Sequence, residues 1–140
     1  MSALGDRFAA AALAYLDTPF RLHGRDPAQG LDCIGLVERA LRDCGVPAAI
    51  PGGYALRQRD TARWLALVPA LGFADAAVPI APGDIVMVEP GAAQVHVLIA
   101  APAGGWVHAH AGLRRVVLTP GLSDGPILNH WRLRPDAKAS

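Results

Sequence analysis

The 140-residue sequence lacks several features that would place it in a familiar class of protein. With only two cysteines, it cannot be a disulfide-stapled scaffold. Thirteen basic and twelve acidic residues leave a net charge of +1, so no charge excess draws the chain to nucleic acid or to anionic lipid. The longest uncharged apolar run near its start, Phe8 to Leu16, is far shorter than the roughly 20 residues of a membrane span. We therefore expect neither a nucleic-acid partner nor a membrane partner.

The same apolar run also lacks the flanks of a secretory signal. Asp6 cancels Arg7 ahead of the run, and Asp17 begins the stretch where a small-residue cleavage site would lie. The sequence thus predicts an alanine-rich helix from about Ala3 to Leu16. We expect no signal peptide, and synthesis in the cytoplasm.

The residues that are present suffice for one folded domain. Hydrophobic residues make up 52% of the chain and charged residues 18%, a balance that predicts a buried core. A length of 140 residues is typical of one domain. We expect a single domain over residues 1–134 and a flexible, small and polar tail over residues 135–140.

The two halves of the chain differ in the period of their apolar residues. Up to about residue 72 the spacing is helical, with Asp32 as N-cap of a second helix, Gly45 as its stop, and a third helix over Arg59 to Leu71. Beyond residue 82 the pattern alternates as in strands, and short connections favour antiparallel hairpins. The predicted strands are Asp84–Glu89, Gln94–Ala100, Gly105–Ala111, Leu113–Thr119 and Ile127–Leu133. This order predicts an α+β fold, with N-terminal helices packed on one face of a C-terminal antiparallel sheet of about five strands.

The two cysteines occupy opposite ends of the predicted second helix. Cys33 follows the cap, where unpaired backbone N–H groups and the helix dipole favour a reactive thiolate. Gly35, close by, has no side chain to crowd a substrate. Cys44 continues the apolar stripe, which is typical of core packing. The alternative for Cys33 is that it also packs in the core, as a small buried apolar side chain.

A nucleophilic cysteine needs a base and a group that orients the base, and the predicted hairpin offers three histidines. His96 lies on one strand, and His108 and His110 share one face of the next. A turn centred on Pro102 places His96 opposite His108, whereas a register two residues longer places it opposite His110. Either histidine could therefore orient His96.

Zinc binding and serine hydrolysis are weaker interpretations of the same sequence. Cys33, His96, His108 and His110 could together ligate zinc, but the sequence has no C-x-x-C motif and no carboxylate close to the histidines. It also has no G-x-S-x-G nucleophile elbow. We expect no metal and no cofactor.

A cysteine at a helix start, then a strand histidine, then a third polar residue twelve positions later resembles the NlpC/p-sixty family of papain-like cysteine peptidases. Four segments in the family's order carry this resemblance, which extends from about Thr18 to Ala111. They are Thr18-Pro19-Phe20 with Gly24, Gly30-Leu31-Asp32-Cys33-Ile34-Gly35-Leu36-Val37, Ala81-Pro82-Gly83-Asp84-Ile85-Val86, and Val95-His96-Val97-Leu98-Ile99 followed by Trp106-Val107-His108-Ala109.

The resemblance implies a papain-like fold and a Cys-His-His triad. In it, Cys33 is the nucleophile, His96 the general base and His108 the residue that orients the base. The reaction implied is hydrolysis of amide bonds in the stem peptides of peptidoglycan, through a thioester. The implied substrate and oxyanion region comprises Phe20, Asp32, Ile34, Gly35 and His110.

Two departures from the family pattern concern the substrate. Phe20 stands where the family carries a tyrosine, and Ile34 where cell-wall members commonly carry serine. A bulky apolar residue after the cysteine is similar to the phage-tail and gene-transfer-particle branch. That branch implies tail or particle proteins as partners and action in the cell wall or periplasm after delivery. The alternatives are a related amidase or acyltransferase with a non-wall substrate, and a structural or hub component of a tail-like particle with little or no turnover.

Overall fold

The computed structural model describes residues 3–50, 58–91, 94–122 and 126–137, and the predicted α+β architecture is confirmed. The helices are α1 (Ala3–Leu13), α2 (Cys33–Asp43) and α3 (Gln58–Leu67), the last followed by a 3-10 turn (Val68–Leu71). The strands are β1 (Arg25–Asp26), β2 (Gly30–Leu31), β3 (Phe73–Asp75), β4 (Ile85–Gly91), β5 (Gln94–Ala100), β6 (Trp106–His110), β7 (Arg115–Thr119) and β8 (Ile127–Leu133). Among the described residues, no helix has the length and apolar character needed to cross a membrane.

Local chemistry explains where the helices end. α1 stops at Leu13, short of the predicted Leu16, and the chain turns away at Asp17, whose φ is +70°. α3 gives way to the 3-10 turn at Pro69, because a proline ring has no N–H to donate and clashes with the preceding helical turn. α3 is anchored by Trp64, whose side chain is fully buried.

The main sheet has six antiparallel strands in the order β3-β8-β4-β5-β6-β7, one more than the approximate count predicted. The extra strand, β3, has three residues, which is too few to show an alternating pattern in the sequence. β8 returns from the end of the chain to lie between β3 and β4. The sheet is therefore not a simple meander. β1 and β2 form a separate small hairpin directly before α2.

Both faces of the central strands β4 and β5 are buried. On the helix side, Ile85 and Val97 belong to the main core together with residues of α1 and α2. On the other side, a smaller apolar cluster contains Val86, Val88, Leu98, Ala100 and Trp106, with Ile80 and Leu122 packed against it. This double burial accounts for the continuous apolar runs in these two strands.

A buried carboxylate joins the start of β4 to β8. Asp84 accepts hydrogen bonds from Nε and Nη2 of Arg132, at 2.8 and 2.9 Å, and from the backbone N–H of Ala81 at 3.0 Å. Nε2 of His130 lies 2.6 Å from the same carboxylate. Burial works to raise the pKa of Asp84, yet these hydrogen bonds, that of Arg132 above all, lower it below its ordinary value.

The β5–β6 hairpin has a longer turn than predicted. Ala100 pairs with Trp106 and Ile99 with Val107, so five residues, 101–105, separate the strands. Of the two registers that the sequence leaves open, the one centred on Pro102 is therefore wrong and the one two residues longer is observed. His96 lies three residues before Ile99 on β5, and His110 lies three residues after Val107 on β6. Extending the observed pairing along both strands therefore places His96 opposite His110.

The packed part of the chain extends beyond the predicted domain end at residue 134. Ala137 belongs to the main core and lies against Gly72, where an added Cβ would come within 2.5 Å of the Ala137 side chain. Residues 138–140 of the predicted tail lie outside the described residues.

Candidate active site

The start of α2 is fixed by Asp32, which confirms the predicted N-cap. Its Oδ1 accepts a hydrogen bond from the backbone N–H of Gly35 at 2.8 Å, and its Oδ2 accepts one from the backbone N–H of His23 at 2.9 Å. Nη1 of Arg25 makes an ion pair with Oδ1 at 3.0 Å. The buried carboxylate thus connects the small hairpin to the helix and holds Cys33 at the first helical position.

Gly35 has a different purpose from the one predicted. A Cβ at this position would lie 2.0 Å from the carbonyl oxygen of Gly24, so the glycine is needed where the preceding loop crosses the helix. The space beside Gly35 is filled by that loop. It is not left for a substrate.

The Cys33 thiol is protonated in the resting protein, contrary to the predicted thiolate. Burial, and then the negative charge of Asp32, raise the pKa of Cys33 to about 12. Hydrogen bonds from the backbone amides of Val97 and Ile34, and the charge of Arg25, act in the opposite direction but do not prevail. The helix start does supply favourable N–H groups, but the side chain is only 9% exposed and desolvation outweighs them.

The hydrogen bond from Val97 locates the thiol within the sheet. Val97 is the residue after His96 in the sequence, so the sulfur lies against the backbone of β5 one position along the strand from the predicted base. The sequence separation of these residues is large, and the packing of α2 on β5 brings them together.

His96 and His108 form a hydrogen-bonded pair. Nε2 of His96 lies 2.9 Å from Nδ1 of His108, and the two rings meet edge to face with centroids 5.1 Å apart. Because the register aligns His96 with His110, this contact is diagonal across the hairpin, not between directly opposite residues. His108 is 2% exposed.

His110 has another role in the hairpin. Its Nδ1 accepts a hydrogen bond from the backbone N–H of Leu113 at 3.0 Å, which holds the turn before β7. Its ring also lies near that of His108, with centroids 5.7 Å apart.

Phe20 and Ile34, two of the positions at which the sequence departs from the family pattern, both pack into the main core. Phe20 is half-buried, and its backbone N–H donates to the carbonyl of Arg114 at 2.9 Å. The Ile34 side chain is 1% exposed, so it fills the core and does not present itself to a substrate. Among the residues that the structure describes, no group of three or more His, Cys, Asp and Glu side chains is arranged to hold a metal ion.

Two residues that sequence reasoning missed contact the predicted site. Arg25 pairs with Asp32, and Thr119 lies on β7 with its Oγ1 3.1 Å from Nε2 of His108. The alternation of β6 and β7 would place Thr119 and His108 on one face, given the register in which His108 pairs with Val117. The alternation of the two strands would therefore have identified Thr119 as a neighbour of His108 only if the length of the β6–β7 turn had been known.

No model of a known protein family and no curated protein matches the chain. Solved structures do match its fold. NlpC1 from Trichomonas vaginalis has a TM-score of 0.67 at 19% identity, over 92% of this chain and 44% of that one. An N-acetylmuramoyl-L-alanine amidase from Bacteroides uniformis has a TM-score of 0.62 at 15% identity, over 94% of this chain and 99% of that one. The peptidoglycan hydrolase RipB from Mycobacterium tuberculosis has a TM-score of 0.56 at 21% identity, over 94% of this chain and 64% of that one.

At these identities the likeness concerns the fold. The chain spans less than half the length of NlpC1 and nearly the whole length of the amidase. The shared arrangement is a set of helices packed on an antiparallel sheet, in which the helix that begins at Cys33 packs on β5 and β6. The chain therefore has the papain-like α+β fold of NlpC/p-sixty domains.

Proposed function

We propose that this protein is a cysteine hydrolase that cleaves amide bonds in the stem peptides of peptidoglycan, with Cys33, His96 and His108 as its triad. The observation that carries the proposal is the hydrogen-bonded His96–His108 pair on the hairpin whose Val97 amide contacts the Cys33 sulfur. A thiol, a base and a group that orients the base are the parts that nucleophilic catalysis requires.

The protonation state of Cys33 decides which mechanism applies. With a pKa of about 12, the resting thiol holds its proton at neutral pH, so the base must remove the proton as the sulfur attacks. Nε2 of His96 is engaged with His108, which assigns the proton transfer to Nδ1 of His96. The sulfur then forms a bond to the amide carbon, and the carbonyl oxygen becomes an oxyanion.

The start of α2 offers donors for that oxyanion. The N–H of Gly35 is already used by Asp32, and that of Ile34 is directed to the sulfur, so we assign the backbone N–H of Cys33 to the oxyanion. When the C–N bond breaks, protonated His96 returns its proton to the departing amine. Water, deprotonated by His96, then hydrolyses the thioester and restores the thiol.

The substrate class rests on the proteins that share the fold. One is an N-acetylmuramoyl-L-alanine amidase and another is a peptidoglycan hydrolase. Amide cleavage in peptidoglycan fits the chemistry that a thiol and two histidines can perform. Ile34 after the nucleophile resembles the phage-tail and gene-transfer-particle branch in sequence, and on that resemblance we propose tail or particle proteins as the partners of this chain.

The proposal is tested by product analysis after incubation with purified peptidoglycan. We expect the unchanged chain and a Cys44→Ala control to release new amino groups, and Cys33→Ala to release none. Equal release by Cys33→Ala would show that the thiol is not the nucleophile. An unchanged chain that binds peptidoglycan and releases nothing would favour the structural or hub alternative, and release from other acyl substrates alone would favour the related amidase or acyltransferase.

A further inference from the structure

The His96–His108 pair continues into a second hydrogen bond, to the neighbouring strand. Nε2 of His108 lies 3.1 Å from Oγ1 of Thr119 on β7. Oγ1 of Thr119 in turn donates over a longer distance, 3.5 Å, to the backbone carbonyl oxygen of Gly121. The four groups form one chain that begins at His96, the residue before Val97, and ends at the carbonyl of Gly121.

The contact of Thr119 with the Gly121 carbonyl favours one direction for the hydrogen bonds along this chain. A carbonyl oxygen can only accept, so the Thr119 hydroxyl hydrogen points to Gly121 and its oxygen remains to accept from His108. A neutral imidazole carries one hydrogen, and on His108 it then lies on Nε2. Nδ1 of His108 is left as an acceptor for the Nε2–H of His96.

The opposite direction would prevent catalysis. If Thr119 donated to Nε2 of His108, the hydrogen of His108 would lie on Nδ1 and point at His96. The hydrogen of His96 would then be on Nδ1, the atom that must accept the thiol proton. Reversal of one hydroxyl therefore converts His96 from a base into a ring that cannot take the proton at that atom.

We propose that Thr119 is a positioning residue, which selects the tautomer of His108 and through it the tautomer of His96 that can act as a base. The proposal rests on the proposed function, because it assigns Nδ1 of His96 to the thiol proton. When His96 becomes charged, its Nε2–H donates to a neutral acceptor, and such charge-assisted bonds are stronger than neutral ones. Thr119 thus prepares the pair for the proton before the sulfur attacks.

The test compares Thr119→Val, which keeps the shape and removes the hydroxyl, with Thr119→Ser, which keeps the hydroxyl. Nitrogen-15 NMR of the histidine rings, at a pH where both are neutral, reports the tautomers, and hydrolysis of purified peptidoglycan reports kcat and KM. In the unchanged chain we expect the hydrogen on Nε2 of both His96 and His108. We expect Thr119→Val to mix the tautomers and to lower kcat about tenfold at an unchanged KM, the scale of one lost hydrogen bond.

Two further variants make the result decisive. Thr119→Ser should restore both the tautomer and kcat, and Leu118→Val, on the same strand and exposed, should change neither. Thr119→Val with unchanged tautomers, or Thr119→Ser that behaves like Thr119→Val, would overturn the role of Thr119. If the unchanged chain and Cys33→Ala both leave peptidoglycan intact, the proposed function fails, while the NMR comparison still decides whether Thr119 sets the tautomers.

Discussion

The sheet contains two histidine networks that differ in charge. The first, on β5, β6 and β7, joins His96, His108 and Thr119 through ring nitrogens and a hydroxyl. The second, between the start of β4 and β8, joins His130 to Asp84, a carboxylate that is already paired with Arg132. Each network spans neighbouring strands and each includes a side chain that is almost fully buried.

The difference matches the roles that we propose for the two networks, catalysis for the first and stability for the second. In the second network the guanidinium of Arg132 donates two hydrogen bonds to the buried carboxylate of Asp84, which connects the start of β4 to β8. The first network is built from ring nitrogens and a hydroxyl, groups that can exchange protons during a reaction. It also leads to β5, where the Val97 amide contacts the Cys33 sulfur.

The largest effect that we expect is on the rate of hydrolysis, which should depend on the first network and not on the second. His96→Gln should lower hydrolysis of peptidoglycan about a thousandfold, within the usual range for loss of a general base. His130→Gln should leave kcat within about twofold, because His130 contacts Asp84 and not the reacting groups. Initial rates of amino-group release, with circular dichroism to confirm folding, check both variants. Equal losses in the two variants would show that the division between the networks is wrong.

The next effect is on the free energy of unfolding, which should depend on the second network. Arg132→Leu should reduce the free energy of unfolding by about 3 kcal/mol, the lower end for a broken buried ion pair, because Arg132 itself is 42% exposed while Asp84 is fully buried. Urea denaturation measures the loss. The double variant Asp84→Leu with Arg132→Leu should recover part of it, since no unpaired carboxylate then remains. A double variant less stable than Arg132→Leu would contradict this interpretation.

The sequence predicts the start of the site better than the contacts made across the sheet. The Asp32 cap is local: the residue that accepts and the residue that donates are three positions apart, and the pattern is readable without a structure. The His96–His108 contact is not local in the same sense. The sequence leaves two registers open, and the observed five-residue turn, in which Gly104 and Gly105 have positive φ, corresponds to the one that places His96 opposite His110.

The protonation state of the Cys33 thiol is even harder to predict from the sequence. Its burial and its hydrogen bond from Val97 depend on how α2 packs against β5, and the helix dipole alone gives the wrong sign for the pKa shift. The place of β8 between β3 and β4 is likewise unpredictable from spacing, because a strand three residues long carries no periodic signal. Local capping chemistry is thus readable, whereas desolvation and strand order require the folded chain.

The last effect we predict is absent near neutral pH; it follows from the same thiol and extends the comparison to alkaline pH. The pKa of Cys33 is about 12 in the folded protein against an ordinary value of 9.0, so between these limits the unfolded chain releases a proton that the folded chain retains. The stabilisation is complete below pH 9.0 and is lost as the pH rises toward 12. The free energy of unfolding should therefore fall by at most about 1.4 kcal/mol per pH unit across this interval, from this one group.

Cys33→Ser isolates that contribution, because a serine hydroxyl does not titrate in this range. The difference in unfolding free energy between the unchanged chain and Cys33→Ser, measured by urea denaturation at a series of pH values, should be constant up to about pH 9 and then decline. Cys44→Ser is the matched control: it removes the other buried thiol of α2 and should leave the Cys33 decline in place. A constant difference up to pH 12 would mean that the Cys33 thiol ionises alike in the folded and unfolded chains. The proton taken by His96 would then come from a thiol of ordinary acidity, and the general-base step would carry less of the reaction than the buried site implies.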